Sequence, residues 1–322
     1  MKTPRPFLID TDTASDDAVA LVMALRSPDV DVKAITVVAG NVALDQATTN
    51  ALYTTEMCGS NVPVFPGAER PLARTHEDAS WFHGRDGMGN QNYPAPHRKA
   101  QDINAIDAII DIASKTPGLT LVTLGPLTNI ALALSRAPQI ATNISRCIVM
   151  GGAPCCEGNV TPAAEYNIWV DPEAARLVFR SQLPIEMVGW QLCRAPATLS
   201  DEEMKQILAL NTPLARFAID CNRTAIESCR TQTCEPGLAL PDPVAMAVAL
   251  DSTIATSKSD HLVEIETTSP LTRGMTVVDR LNVATDERNA AEWPAGKSRR
   301  RSTIIWQIDI PRWKQLLFSR LR

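Results

Sequence analysis

The sequence has 322 residues, of which 45% are hydrophobic and 21% are charged, with a net charge of -5 and a pI near 5.5. This acidic, globular composition argues against nucleic acid or an anionic membrane surface as the main partner. No apolar segment approaches the ~20 residues that a membrane-spanning helix needs, and residues 1–6 reach the first apolar run without a signal-peptide core. We therefore expect a cytoplasmic protein that folds as a single domain over residues 1–322.

The predicted elements alternate between strands and helices through the first two thirds of the chain. Strands are predicted over 7–9, 32–38, 62–65, 119–124, 146–150 and 185–188, and helices over 16–25, 45–58, 103–114, 127–135, 171–180, 200–210, 213–228 and 242–250. The segment 68–101 is loop-rich, the tail 262–310 contains strand-like pieces, and 311–321 is predicted to be a closing helix. This order favours an α/β fold with an open, mostly parallel central sheet and helices on both faces.

Four carboxylates lie within eight residues, directly after the first predicted strand. They are Asp10, Asp12, Asp16 and Asp17. Crowded carboxylates repel one another, so ionising them together requires a cation, or else some of their pKa values rise. Oxygen ligands favour Ca²⁺ or Mg²⁺ over zinc. Helix capping would explain one of these acids and leave three without a role, so we predict a ligand site at this end of the strand.

Other predicted strands also end in polar, glycine-containing loops, at 40–41, 124–129 and 150–152. Downstream, amide and carboxylate side chains at Asn159, Glu165 and Asn167 are of the type that binds a polyol, although the same residue types cap helices and close turns. Asp242 followed by Pro243 is a helix start by itself. Together with the early acids, Asp242 is also a candidate cation ligand.

The eight cysteines form no CxxC pair and no zinc-like spacing, so we interpret them as reduced, small hydrophobic residues. Cys155 and Cys156 are neighbours and cannot form an ordinary disulfide with each other. A reactive thiol remains an alternative for Cys193, Cys221 or Cys229. The other cysteines are Cys58, Cys147 and Cys234.

Taken in order, these motifs resemble those of the inosine-uridine preferring nucleoside hydrolase family. The similar segments are DTDTASDD (10–17), VAGN (38–41), HGRDGMG (83–89), LGPLTN (124–129), MGG (150–152), EGN (157–159), AEYN (164–167), DPEAA (171–175), DP (242–243) and the later LTRGMTVV (271–278). A DxD or an MGG alone would be a weak signal. The ordered set spans about residues 7 to 283 and is highly specific.

The resemblance implies a Rossmann-like nucleoside hydrolase fold and Ca²⁺-dependent hydrolysis of the N-glycosidic bond of ribonucleosides. By matching position, Asp12 and Asp17 would bind the ion with Asp242 and the backbone carbonyl of Leu124, and Asp12 would also be the base that activates water. The remaining positions implied at the site are Asp16, Asn159, Glu165 and Asn167 on the ribose hydroxyls, Asn41, His83 and Met150 nearby, and Asp10 as a supporting acid. A small-molecule nucleoside is the implied partner, and a homodimer or homotetramer the implied assembly.

The chain departs from the family pattern where the leaving base is activated. Family members specific for inosine and uridine commonly carry a His before the late metal-binding Asp, and it protonates the departing base. This chain has Pro241 there, which cannot donate a proton. The candidates for a replacement are Trp81 or Trp190, by stacking on the base, and Arg223, Glu227, Arg230 or the weaker Cys229, on a helix expected to overhang it. The charged residues of that helix also fit a solvated surface.

Two other functions remain open from the residues alone. A haloacid-dehalogenase-type, Mg²⁺-dependent phosphohydrolase also begins with a DxDxT strand end, in which Asp10 would be the nucleophile. That reading leaves Asp16, Asp17 and the later motifs unexplained. A catalytically silent homologue that binds ribose or a nucleoside is the second alternative. The preferred nucleobase does not follow from these residues.

Overall fold

The computed structural model describes residues 3–233, 237–289, 291, 293 and 299–322. The strands are β1 (Arg5–Thr11), β2 (Val30–Val37), β3 (Val64–Pro66), β4 (Leu119–Thr123), β5 (Ile144–Met150), β6 (Ile185–Val188), β7 (Ala255–His261), β8 (Val263–Ile265), β9 (Thr276–Val278) and β10 (Ser302–Ile308). The helices are α1 (Ser15–Leu25), α2 (Leu44–Met57), α3 (Ser80–His83), α4 (Ala105–Lys115), α5 (Thr128–Arg136), α6 (Tyr166–Val170), α7 (Pro172–Phe179), α8 (Asp201–Ala209), α9 (Pro213–Asp220), α10 (Arg223–Ser228), α11 (Pro241–Leu250) and α12 (Ile310–Arg320).

An eight-stranded sheet has the order β3-β2-β1-β4-β5-β6-β10-β7, and β8 pairs with β9 in a separate antiparallel ribbon. Within the large sheet every pairing is parallel except that of β10 with β7. The chain builds outward from β1 through β2 to β3 and then returns to the other side of β1 with β4. Ligands of open α/β sheets bind at the carboxyl ends of strands beside such a reversal.

Apolar layers cover both faces of this sheet. One layer includes α1, α2, α9 and α11, and the other includes α4, α5 and α7. Residues 15–24 of α1 and 242–250 of α11 are buried on every side, and the two helices pack against each other. Such all-round burial is typical of a helix in the core of a large domain. None of the described helices combines the length and the apolar run that crossing a bilayer requires.

The predicted α/β class and mostly parallel sheet are confirmed, and several element ends shift by only a few residues. The helix predicted over 213–228 is wrong, because the chain bends at Cys221 and Asn222 between α9 and α10. There the Asn222 amide donates to Ala218 O at 2.9 Å and to Ser15 O at 3.3 Å, tying the bend to α1. The loop predicted over 68–101 contains α3.

Strand β7 begins seven residues before the predicted strand-like tail. It is an edge strand with mostly exposed polar side chains, so it lacks the alternation of a half-buried strand. That residues 1–322 form one domain stays a prediction.

The cysteines considered as reactive thiols lie in the interior of the protein. Cys193, Cys221 and Cys229 are buried. Burial raises the pKa of Cys193 and of Cys221 well above the usual range, which opposes the reactive thiolate form. Cys234 lies outside the described residues.

Candidate active site

The early acids sit where β1 passes into α1. Asp12 follows the strand, and Asp16 and Asp17 lie in the first turn of the helix. The Asp17 carboxylate accepts from the Thr11 hydroxyl at 2.6 Å and from Ala14 N at 3.0 Å. The bond from Ala14 uses an unpaired N–H of the helix start, a position that also favours negative charge. The first turn of α1 therefore holds Asp17 in one orientation.

Asp242 brings a third carboxylate to the same place from the first turn of α11. One oxygen each of Asp16, Asp17 and Asp242 lies within 4.8 Å of the others, and all three residues are buried. Burial and the neighbouring acids raise the pKa of Asp242 and of Asp17, while burial raises that of Asp16 to about 6. Carboxylates this close ionise together only when positive charge is supplied.

Asp12 lies between two glycine-containing turns. Its Oδ2 accepts from Asn41 N at 2.6 Å. A Cβ placed on Gly40 would lie 2.1 Å from Asp12 Oδ2, and one placed on Gly125 would lie 2.5 Å from Asp12 Oδ1. The turns after β2 and β4 thus close on the carboxylate from both sides, and only glycine allows that approach. Burial, followed by the charge of Asp17, raises the pKa of Asp12 well above its usual range.

The donor atoms fit a hard divalent cation. Asp12 Oδ1 and Asp16 Oδ1 are buried and have no hydrogen-bond partner within the described part of the chain. The Leu124 carbonyl accepts from Asn167 Nδ2 at 2.7 Å, and a carbonyl oxygen has a second lone pair. Unpaired oxygens in a buried acidic cluster match the all-oxygen coordination of Ca²⁺ or Mg²⁺.

The start of α6 presents further polar side chains. Glu165 caps this helix by accepting from Asn167 N at 2.9 Å, and its other oxygen accepts from Gly152 N at 2.8 Å. Burial raises the pKa of Glu165 to about 7, although these N–H donors favour the ionised form. Asn167 Nδ2 also contacts Met150 O at 3.3 Å. Both side chains are therefore fixed before any ligand binds.

The remaining predicted ribose contacts are also held by neighbours. Asn159 Oδ1 accepts from Tyr166 N at 2.9 Å, and Asn41 Nδ2 donates to Asp17 Oδ2 at 3.3 Å. His83 Nδ1 lies 2.7 Å from Ser15 Oγ, and burial lowers the pKa of His83 to about 4. This imidazole is neutral at physiological pH.

Asp10 lies behind this group. Its Oδ2 accepts from the Thr36 hydroxyl at 2.6 Å and from Asn129 Nδ2 at 2.9 Å. Burial raises its pKa to about 7. Asp10 does not line the cavity described next, and neither do Asp12 and Asp17.

A cleft lies over the acids, with an empty volume of about 830 Å³ that includes open solvent at its mouth. The predicted site residues that line it are Asp16, Asn41, Trp81, His83, Leu124, Met150, Asn159, Glu165, Asn167, Trp190 and Asp242. Pro241, at the position of the missing His, also lines it. Sequence reasoning did not single out Phe82, Val160 and Tyr166, which also line the cleft. Phe82 lies between the predicted site residues Trp81 and His83, and this neighbourhood is the sequence feature that could have indicated its place in the cleft.

Four leaving-group candidates lie away from the cleft lining. Arg223, Glu227 and Arg230 are exposed, and Cys229 is buried. Arg223 pairs with Asp220 at 3.6 Å and Arg230 with Asp201 at 2.7 Å. These residues were expected on one continuous helix, but the bend at Asn222 changes the direction of the chain before α10 begins. Trp81, which is half-exposed, and Trp190 are the predicted candidates that the cleft contains.

Comparison with known proteins agrees with this geometry. The family model described as inosine-uridine preferring nucleoside hydrolase matches residues 7–315. The chain is 39% identical to the pyrimidine-specific ribonucleoside hydrolase RihA of Shewanella sp. (strain MR-4), over 98% of this chain and 96% of that protein. A solved plant nucleoside hydrolase, PpNRh1, has a TM-score of 0.91 at 30% identity over 99% of both chains. The purine-preferring ribonucleoside hydrolase from Gardnerella vaginalis has a TM-score of 0.88 at 32% identity over 98% of both chains. The chain therefore belongs to the inosine-uridine preferring nucleoside hydrolase family and is a hydrolase that acts on N-glycosyl bonds.

Proposed function

We propose that this hydrolase depends on Ca²⁺ and that Asp12 is the base that takes a proton from the attacking water. The observation that carries the proposal is the buried Asp12 Oδ1, which has no hydrogen-bond partner among the described residues. The Asp12 carboxylate is close enough to feel the charge of Asp17 and Asp16, two members of the cluster of Asp16, Asp17 and Asp242. Asp12, Asp17, Asp242 and the Leu124 carbonyl would hold the ion. When bound, the cation would neutralise these carboxylates and acidify a water molecule beside Asp12.

The ribose would lie over the acids, with its hydroxyls on Asp16, Asn159, Glu165 and Asn167. Asn41, His83 and Met150 would border it, and Asp10 would support Asp12 from behind. Cleavage of the N-glycosidic bond develops positive charge on the ribosyl group, and carboxylates beneath the ring stabilise that charge. Because Glu165 and Asn167 are already held by backbone groups, little reorganisation accompanies the reaction.

For the leaving base we propose stacking rather than proton donation from the position before Asp242. Pro241 lines the cleft and has no proton to give, while Trp81 and Trp190 line the same cleft. An aromatic face against the base binds it without a hydrogen bond. The other four candidates do not line the cleft, so we consider them less favoured than the two tryptophans. They are Arg223, Glu227, Arg230 and Cys229.

The test is release of reducing sugar from a panel of ribonucleosides, with calcium present or removed by a chelator. The names of the relatives differ in the base, pyrimidine for the Shewanella protein and purine for the Gardnerella protein, so the panel includes both. Asp12→Asn should lower kcat by about 10³-fold, the order of a lost general base. Asp111→Asn, on the exposed surface of α4, serves as the control and should match the wild type. An Asp12→Asn protein that releases ribose at the wild-type rate would remove Asp12 from this role.

The alternatives drawn from the residues are not favoured by the family match. Phosphate release from an aryl phosphate would still identify a phosphohydrolase, and ribose binding without cleavage would identify a silent homologue. We also propose a cytoplasmic location and a homodimer or homotetramer. Cell fractionation and light scattering on the purified protein test these two points.

A further inference from the structure

One peptide group, between Gly40 and Asn41, connects Asp12 to the loop before α3. Its N–H, on Asn41, donates to Asp12 Oδ2 at 2.6 Å. Its carbonyl, on Gly40, lies 2.7 Å from His76 Nε2 and 2.8 Å from the Tyr166 hydroxyl, whose single proton is shared with Glu77 O, also 2.8 Å away. A carbonyl oxygen only accepts hydrogen bonds, so His76 carries a proton on Nε2. Both ends of this single peptide group are therefore hydrogen-bonded.

Hydrogen bonds at opposite ends of a peptide group reinforce each other, because each one polarises the amide. A donor on the Gly40 carbonyl makes the Asn41 N–H a stronger donor to Asp12. It also holds the plane of the peptide, since a rotated plane would point an oxygen at the Asp12 carboxylate. The orientation of Asp12 thus depends on groups that do not touch it.

The loop that carries His76 is bound to the same turn at two further points. Ala39 N donates to Ala68 O at 2.9 Å, and Ala79 N donates to Asn41 O at 2.9 Å. The loop then continues into α3, whose residues line the cleft. His76 is half-buried and contributes one side-chain hydrogen bond to this arrangement. Removing the His76 side chain leaves the two backbone hydrogen bonds and the contact of the Tyr166 hydroxyl in place.

We propose that His76 is a positioning residue that orients Asp12 through the peptide group between Gly40 and Asn41. The proposal rests on the proposed role of Asp12 as the base. It predicts that loss of the His76 hydrogen bond lowers the rate of the chemical step while nucleoside binding is kept, because the proposed contacts to the ribose hydroxyls, Asp16, Asn159, Glu165 and Asn167, lie on other segments of the chain. A residue that only stabilises the loop would instead change stability and substrate affinity together.

Three variants separate these cases: His76→Ala, His76→Gln, whose amide can still donate to the Gly40 carbonyl, and His97→Ala, an exposed histidine of the loop before α4. We expect His76→Ala to lower kcat about tenfold, in the range found for residues that orient ligating side chains. KM should stay within about twofold, the pattern of a transition-state effect. His76→Gln should recover most of the lost rate, and His97→Ala should match the wild type.

The second readout is the Asn41 amide in a nuclear magnetic resonance spectrum of the calcium-free protein, which needs no turnover. A short bond to a carboxylate moves an amide proton downfield, so His76→Ala should shift this proton upfield and speed its exchange with solvent. The proposal is overturned if this signal is unchanged in His76→Ala, if kcat is unchanged, or if KM rises as much as kcat falls. Should His76→Ala fail to fold, a tenfold lower kcat in His76→Gln with an unchanged Asn41 signal would overturn it equally. If the wild type cleaves no nucleoside, the proposed function fails, and the Asn41 signal still decides whether His76 acts on this peptide group.

Discussion

Replacing Gly40 with Ala should nearly abolish turnover and leave the protein folded. The added Cβ would lie 2.1 Å from Asp12 Oδ2 and 2.7 Å from Asp12 Cγ. Ordinary contact begins at about 3.5 Å, so the carboxylate must move by roughly 1 Å or more. Gly125 approaches the other side of the same carboxylate, which blocks a simple retreat. The side chain must therefore rotate away from its position beside Asp17 and Asp242.

A displacement of this size costs about 10²-fold in rate when the group is part of the reacting constellation. That factor corresponds to about 2.7 kcal/mol of activation free energy. The overpacking itself should lower the free energy of unfolding by about 1–3 kcal/mol. The assay is the initial rate of ribose release at saturating nucleoside and calcium, with thermal unfolding measured on the same samples.

Gly59→Ala is the matched control. Nothing lies within 4 Å of a Cβ at Gly59, whose φ of 63° places it in the left-handed region. The change should therefore lower stability by about 1 kcal/mol through backbone strain and leave kcat at the wild-type value. A Gly40→Ala protein with wild-type kcat would refute the claim that close approach to Asp12 requires glycine here. Equal losses of activity in both variants would show that stability alone was measured.

Three further outcomes are expected. The Arg273 guanidinium carbon lies 4.0 Å from the centre of the Trp169 ring, Arg273 Nε donates to Trp169 O at 3.0 Å, and Arg273 Nη1 pairs with Glu77 Oε1 at 3.1 Å. Arg273→Ala should therefore lower the free energy of unfolding, measured in urea, by about 2 kcal/mol. Arg273→Lys should not restore the lost stability. Burial raises the pKa of Glu165 from 4.5 to about 7, so its contribution to stability is fully present below pH 4.5 and is lost as the pH rises through 7. In calcium-free protein the stability of the wild type relative to Glu165→Gln should fall by about 3 kcal/mol between roughly pH 4 and 8, and a constant difference would contradict this. Calcium at 100 times its Kd should stabilise the protein by about 2.7 kcal/mol, seen as a higher unfolding midpoint that Asp242→Asn reduces.

The features that could be predicted are those written in consecutive residues. An apolar run followed by four acids defined the end of β1 and the start of α1, because both signals lie within one short stretch. The amides and acids near α6 were likewise visible from their own motif. The parallel sheet followed from the order of the predicted elements.

The features that could not be predicted depend on contacts between distant residues. The bend at Asn222 needs the carbonyl of Ser15, which lies 207 positions earlier. Nothing in the spacing of Gly40 and Gly125 shows that both meet one carboxylate. The hydrogen bond from His76 to Gly40 is invisible for the same reason, since it joins a loop to a turn 36 positions away.

The two helices that carry the acids, α1 and α11, are buried along almost their whole length. Local fraying cannot release either of them, because exposing their first turns would open the apolar centre of the molecule. Heating should thus inactivate the enzyme in the same cooperative transition that unfolds it. The fraction of activity that remains at each temperature should therefore equal the fraction of folded molecules.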